Sequence, residues 1–307
     1  MDKVICIVGP TGIGKTSLSI ALAKYLDGEI INGDLIQMFK EVDILSAKPS
    51  IEEQSGFKHH LLDFLCVEEN YDVARFKKDA SKLIEEINNK GKIPIIVGGS
   101  GLYIKSLLFD YKFDDVKQRA SNINEKYESY TNEELFDYLK DVDEKTSSIL
   151  HPNNRKRVLR AIEIYETSGK AKSEHLDKQE HVLEYDALVI GLNNEREIIY
   201  DLINKRVDKM VNIGLVEEVE SLYKKYNTFE YQPFQAIGYK EFRGYLEDDI
   251  ELEIVLDKIK QNSRRYAKKQ LTWFNNQMDV NWLISNIDDF DKTINDAIKL
   301  VEDFING

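Results

Sequence analysis

No stretch of the 307-residue sequence holds the ~18 consecutive apolar residues that a membrane-spanning helix requires, which argues against a membrane-embedded enzyme or transporter. Cysteine is nearly absent. Cys6 and Cys66 are the only two, without metal-type spacing, so neither a disulfide framework nor a thiolate metal centre can be built from them. Cys6 lies within an apolar run and reads as a small core residue. The opening Met1–Ile5 lacks the basic and apolar regions of a secretory signal, so a cytoplasmic location is expected. Internal repeats and low-complexity segments are missing too. Positive charge is in deficit, since 42 Lys and Arg face 55 Asp and Glu for a net charge of −13. Such a balance disfavours a nucleic-acid partner unless the basic residues are gathered, because local potential governs phosphate binding.

What is present alternates between two periods. Val4–Val8 is a short apolar run ending in glycine, the pattern of a strand buried on both faces. Residues 17–26 carry Leu18, Ala21, Leu22 and Tyr25 at helical spacing. Glu29–Asn32 is a second strand. From the N-cap Asp72, the stripe Val73, Phe76, Ala80, Leu83, Ile84 and Ile87 predicts a helix that stops near Gly91. Ile93–Val97 is a third strand, with Pro94 at its entry, and Gly98-Gly99-Ser100-Gly101 follows. This alternation predicts a parallel α/β sheet with functional loops at the strands' C-terminal ends. Residues 111–184 are charged and helical in period, whereas Ala187–Gly191 is again a strand. The expected organisation is a core of 1–110 and 185–307 interrupted by an all-helical insertion at 111–184. The rest of the core reads as helices at 198–211, 216–226, 234–246, 252–274 and 288–305, with an edge strand at Val280–Ile284.

Gly9-Pro10-Thr11-Gly12-Ile13-Gly14-Lys15-Thr16 has the spacing of a phosphate-binding loop between a strand and a helix. Glycines let backbone N–H groups converge on phosphate oxygens, and the helix N-terminus adds partial positive charge. Lys15 then meets the terminal phosphates, and the Thr16 hydroxyl is a ligand for Mg²⁺. The core therefore resembles a P-loop NTPase. Asp34 ends the second strand and Ser100 follows the third, so both face the loop's crevice. A kinase would move the terminal phosphoryl group; a transferase would discard the diphosphate. The loop alone does not choose between them.

Longer matches do. The loop is followed in order by Asn32-Gly33-Asp34-Leu35-Ile36-Gln37, Ala47-Lys48-Pro49, His59-His60-Leu61-Leu62-Asp63 and Gly98–Tyr103. His151–Arg155, Arg157 with Arg160, Gln235–Lys240 and Arg264–Phe274 complete the series. From Ile7 to Phe274 the chain resembles the bacterial tRNA dimethylallyltransferases. The resemblance implies transfer of the prenyl group of dimethylallyl diphosphate to N6 of adenosine 37 in tRNA, with release of diphosphate. It implies that Asp34 takes the proton of the flipped adenine's amine, with Ser100 and Lys15 as its catalytic companions. Gly9–Thr16, Lys240 and Arg264 would hold the diphosphate. Asp34, Leu35, Ile36, Gln37, Ser100, Arg119, Lys156, Arg157, Val158, Leu159 and Arg160 would contact tRNA, with the insertion on the anticodon stem-loop. Ser100 stands where threonine is more usual, keeping the hydroxyl. Lys240 stands where some relatives have arginine, keeping charge without the planar fork. Leu35 replaces a small polar residue.

The basic residues are in fact gathered. Arg155, Lys156, Arg157 and Arg160 form one cluster, with Arg157 and Arg160 on one helix face; Arg264, Arg265, Lys268 and Lys269 form another. A small-molecule kinase or an adenylate prenyltransferase remains the alternative, but a mononucleotide needs neither cluster nor a helical insertion. His59 and His60 lack a third ligand at metal spacing. A monomer is expected.

Overall fold

A computed structural model describes residues 1–110, 123–176 and 182–307. The chain divides into two compact units, Met1–Phe109 with Leu183–Gly307, and Asp110–Val182.

The chain opens with β1 (Lys3–Val8), α1 (Lys15–Leu26), β2 (Glu29–Asn32), β3 (His59–His60), α2 (Val73–Asn89), β4 (Pro94–Val97) and α3 (Gly101–Leu108). The smaller unit contributes α4 (Ile123–Lys126), α5 (Asn132–Val142), α6 (Glu144–Ser147), α7 (Arg155–Ser168) and α8 (Lys172–Leu176). The larger unit resumes with β5 (Asp186–Asn193), α9 (Arg196–Asn212), α10 (Leu215–Tyr226), α11 (Arg243–Glu247), α12 (Leu252–Gln277), β6 (Asn281–Ile284) and α13 (Phe290–Asn306).

The six strands form one parallel sheet in the order β3-β2-β4-β1-β5-β6. Its centre is β1, paired with β4 at Cys6↔Ile96 and with β5 at Cys6↔Val189. Alternate side chains of a strand point to opposite faces, and β1 has apolar residues on both. Val4, Cys6 and Val8 join a cluster with Phe76, Ala80 and Ile84 of α2; Ile5 and Ile7 join one with Leu18 and Leu22 of α1 and Val301 of α13. Two-sided burial explains the unbroken apolar run. Pro94 opens β4, where its missing N–H costs no ladder bond. Asp72 caps α2, accepting from Arg75 N at 2.9 Å, and Gly91 turns the chain after it at φ 73°.

One expected element differs. Residues 234–246 read as a continuous helix, but the chain forms short 3₁₀ turns at Gln232–Gln235 and Lys240–Phe242 before α11. Gly238, at φ 110°, breaks the helical path. Phe234 and Tyr239 on either side stack at 4.0 Å between ring centroids. Aromatic packing supplies there the order that a helix ladder would otherwise give.

The smaller unit has its own core, with Leu135 and Leu139 of α5 against Val158, Leu159, Ala161 and Ile162 of α7. Thr131 and Glu134 make a reciprocal capping box at the start of α5. Asp143 is buried between elements. Its carboxylate accepts from Thr146 N and Oγ1 at 3.0 and 2.6 Å, and from Ser173 N and Oγ at 3.0 and 2.6 Å.

Candidate active site

The strands' C-terminal ends deliver the loops that build the site. Gly9, Gly12 and Gly14 all have positive φ, so the loop after β1 wraps tightly into α1. A Cβ on Gly9 would lie 2.5 Å from Leu192 O, and one on Gly14 would lie 2.7 Å from the Phe290 ring. Ile13 is buried, and its carbonyl accepts from Ser285 Oγ at 2.8 Å. The loop is thus gripped by β6's exit and α13, far away in the chain. Lys15 Nζ donates to Gly9 O and Pro10 O at 3.0 and 2.8 Å. Thr16 lies in the first turn of α1, whose leading N–H groups have no helical partner.

A cavity of 510 Å³ opens beside the loop, lined by Thr11, Lys15, Asp34, Ser100, Arg206, Lys240, Tyr266, Lys269 and Gln270 among others. Asp34 is positioned by its own backbone. Its N–H donates to Asn32 Oδ1 at 3.0 Å, and its carbonyl accepts from Asn32 Nδ2 at 2.9 Å. One carboxylate oxygen accepts from Ile36 N at 3.1 Å, which leaves the other for a ligand. Leu35 and Ile36 line the same cavity. Gln37 does not: its amide donates to Ser46 O and Ala47 O at 3.2 and 3.1 Å, holding the loop that contributes Ser46 to the wall.

Arg206, on α9, has no counterpart among the residues that the sequence singles out. It donates to Thr11 Oγ1 and, at 3.5 Å, to Ser46 O. Burial lowers its pKa, opposed by the charge of Asp34. Burial first, and then Arg206, lowers the Lys15 ammonium to about 8, with Asp34 pulling the other way. Two cations and one carboxylate therefore share a poorly solvated space, and an anion of higher charge would relieve the repulsion between the cations. Tyr266, from α12, has its hydroxyl pushed up to about 12, by burial and then by Asp34, so it stays a proton donor at neutral pH. Gln270 Nε2 donates to Gly99 O at 3.0 Å, while its buried Oε1 has no hydrogen-bond partner among the described residues. A Cβ on Gly99 would lie 2.1 Å from Gln270 Nε2, so a side chain there would displace that amide.

Other expectations fall elsewhere. Lys240 does line the cavity, but Arg264 is outside the lining, where its guanidinium donates to Asn204 Oδ1 at 2.6 Å. Of the second basic cluster, Lys269 reaches the cavity wall. In the smaller unit Lys156 and Arg157 are exposed on α7. Arg160 is half-buried and pairs with Glu163 at 2.6 Å. Val158 and Leu159 are corrected from contact residues to core residues, at 0% and 6% exposure. Arg155 is committed to the fold, donating to Tyr127 O and Tyr130 O at 2.5 and 2.7 Å. Arg119 lies outside the described residues. His60 bonds Glu29 at 2.7 Å and His59 bonds Phe57 O at 3.0 Å. Among the described residues no group of three or more His, Cys, Asp or Glu could hold a metal, and no helix is long and apolar enough to cross a membrane.

Comparison with known proteins gives this geometry its relatives. The family model for IPP transferase matches residues 37–277. A tRNA dimethylallyltransferase of Anoxybacillus flavithermus is 45% identical over 302 residues, covering 98% of this chain and 96% of its own length. One from Bacillus anthracis is 48% identical over 296 residues, with 95% and 93% covered. Among solved structures, a tRNA isopentenylpyrophosphate transferase of Staphylococcus epidermidis aligns with a TM-score of 0.74 at 41% identity, covering 99% of each chain. A eukaryotic dimethylallyltransferase acting on tRNA aligns at 0.87 and 32% identity, covering 100% of this chain and 80% of that one.

Proposed function

The chain belongs to the IPP transferase family, and from that premise we propose that it moves a dimethylallyl group from dimethylallyl diphosphate to N6 of adenosine 37 in tRNA. The observation that carries this reading is the convergence of Lys15, Arg206, Asp34 and Ser100 on one cavity. The anion-binding half of that cavity is the loop with Lys15 and Arg206; the proton-accepting half is Asp34.

Diphosphate fits the first half. Backbone N–H groups of the loop and the first turn of α1 meet its oxygens, while Lys15 and Arg206 supply two positive charges. As the C–O bond to the prenyl carbon breaks, negative charge grows on the leaving oxygen, which these preorganised donors stabilise. Losing one such donor typically costs ~10²–10³ in rate. The adenine amine is a weak nucleophile, because its lone pair is delocalised into the ring. As N6 bonds to carbon it becomes acidic, and the free oxygen of Asp34 takes its proton, typically worth ~10²–10⁴. Ser100 Oγ stands at the same wall and can orient the amine. Reaching Asp34 requires the base to leave the anticodon-loop stack.

Mg²⁺ fits the donor chemistry here in one form only. With no group of three or more His, Cys, Asp or Glu among the described residues to cage it, it would be held by the Thr16 hydroxyl and the diphosphate's own oxygens. Hard oxygen donors shared with substrate phosphate suit that ion. Its chemistry there would be neutralisation of the departing diphosphate.

The test is to incubate the protein with unmodified tRNA bearing adenines at positions 36–38, dimethylallyl diphosphate and Mg²⁺, and to weigh the released nucleosides. A five-carbon adduct on adenosine is expected. Its absence overturns the reading.

A further inference from the structure

The wall of the cavity contains an acceptor that the fold leaves unused. Gln270 of α12 is 6% exposed and lines the same space as Asp34 and Ser100. Its amide can sit only one way round. Nε2 donates to Gly99 O at 3.0 Å, and the reverse orientation would set two carbonyl oxygens against each other. Oε1 therefore faces away from Gly99, and it is buried without a hydrogen-bond partner among the described residues. Leaving a buried acceptor unpaired opposes folding. Such a group suits a ligand that brings a donor.

Close backbone contacts gather the groups around it. A Cβ on Gly98 would lie 2.5 Å from Gly33 O, so the turns that carry Asp34 and Ser100 touch main chain to main chain. Ser100 is flanked by Gly99 and Gly101, where a Cβ would meet the Gln270 amide and the Trp273 ring at 2.1 Å each. Both of those side chains come from α12, which is thus pressed against the turn on either side of Ser100. Tyr266 stands one turn before Gln270 on the same helix. Burial and the charge of Asp34 push its pKa up, whereas Ser100 and Gln270 act against them, as donors to its oxygen do. The tyrosine hydroxyl therefore faces the amide hydrogens of Gln270 and does not satisfy Oε1.

We propose that Gln270 Oε1 accepts one N–H of the exocyclic amine of the acceptor adenine, while Asp34 faces the other. The inference rests on the reading of the protein as a tRNA-modifying enzyme. Adenine in a nucleoside bears nitrogen-bound hydrogens only at N6, its ring nitrogens being acceptors. Two acceptors in one cavity match those two hydrogens, and an ionised diphosphate has none to offer. The division assigns each hydrogen its fate. As the N6–carbon bond forms and the carbon–oxygen bond to diphosphate breaks, the proton facing Asp34 moves to its carboxylate. The other stays on N6 in the product, held by Gln270. The same pair of acceptors disfavours hypoxanthine, which presents an oxygen in place of the amine.

Equilibrium binding of synthetic tRNA with either adenine or purine at position 37 tests this on the full chain and on Gln270→Met. Purine lacks the amine, and methionine keeps the length of the side chain without a strong acceptor. The unaltered protein should bind the adenine RNA about tenfold or more tightly than the purine RNA. In Gln270→Met that preference should shrink by about fivefold or more, because the amine no longer meets Oε1. A glutamine that only braces the Gly99 turn would weaken both RNAs alike. A preference left intact in Gln270→Met therefore overturns the proposal. Equal binding of the two RNAs by the unaltered protein overturns it as well, even if the variant does not fold. The five-carbon adduct is scored on the unaltered protein alone, so the functional reading can stand where this contact falls.

Discussion

In the proposed reaction Asp34 and Lys15 divide the chemistry at the residue scale, and each can be tested alone. Asp34→Asn keeps the shape and removes the proton acceptor, so kcat should fall ~10²–10⁴-fold while tRNA affinity, measured by filter retention, stays near that of the unaltered protein. A parallel loss of affinity would make Asp34 a binding group instead. Lys15 gives a pH signature. Its free-enzyme pKa is lowered to about 8, by burial and by Arg206, and a bound diphosphate must raise it. The ammonium's contribution to donor binding is therefore complete below pH 8 and is lost as pH rises from 8 through the higher bound value. KM for dimethylallyl diphosphate should be flat at pH 6–7 and climb above 8, by up to about tenfold per pH unit. Arg206→Gln should weaken donor binding and move that break upward, since it removes a charge that depresses Lys15. A break that stays in place would show that the two cations are not coupled.

At the scale of elements, the cavity depends on how closely helices approach strand ends. Gly99 brings the loop after β4 against Gln270 of α12, so near that any side chain collides. Gly99→Ala should cut kcat at least tenfold with little loss of fold, because the displaced groups, Ser100 and Gln270, both line the cavity. Circular dichroism together with single-turnover rates would separate the two effects. The same reasoning shows what the sequence could tell and what it could not. β1, its glycine loop and α1 are contiguous, so local period and turn chemistry suffice to place them. Asp34 and Ser100 are legible because each follows closely on a strand of a parallel sheet, whose C-terminal edge is where ligands bind. Arg206 carries no such mark. It lies mid-helix in α9, among Lys205 and Asp208, and only the packing of α9 against the loop turns it inward. Arg264, which the family resemblance assigns to the diphosphate, donates in this structure to its neighbour Asn204. Val158 and Leu159 fell inside a contact run by adjacency alone, although helical period turns them to the core. The broken helix at 232–242 was hidden because aromatic spacing imitates a helix stripe, and Gly238's backbone angle is invisible until folded.

At the scale of the whole molecule, the two units have separate cores, so damage to one need not reach the other. Asp143 holds α6 and α8 of the smaller unit through four hydrogen bonds. Burial by itself would raise its pKa, but the bonds from Ser173 and Thr146 outweigh that and hold it below the usual carboxylate range. Its stabilisation is thus present above the ordinary aspartate value near 4 and is lost as pH falls through the lower folded value. Asp143→Ala should destabilise the smaller unit by roughly 2–5 kcal/mol. Limited proteolysis should then cut within residues 110–182 while donor affinity persists. Both tryptophans, Trp273 and Trp282, belong to the larger unit, so their fluorescence should report no change. A shifted tryptophan transition would show that the two units stand or fall together.

The grip of Ser285 and Phe290 on the phosphate loop has a consequence for biosynthesis. The hydroxyl that holds the loop's Ile13 carbonyl is translated 272 residues after the loop itself. Until that late segment emerges and docks, the nascent chain has the glycines of a phosphate cradle without its final brace. Catalytic competence is thereby deferred until that segment has docked, and a chain interrupted before it carries the motif without the brace that shapes it.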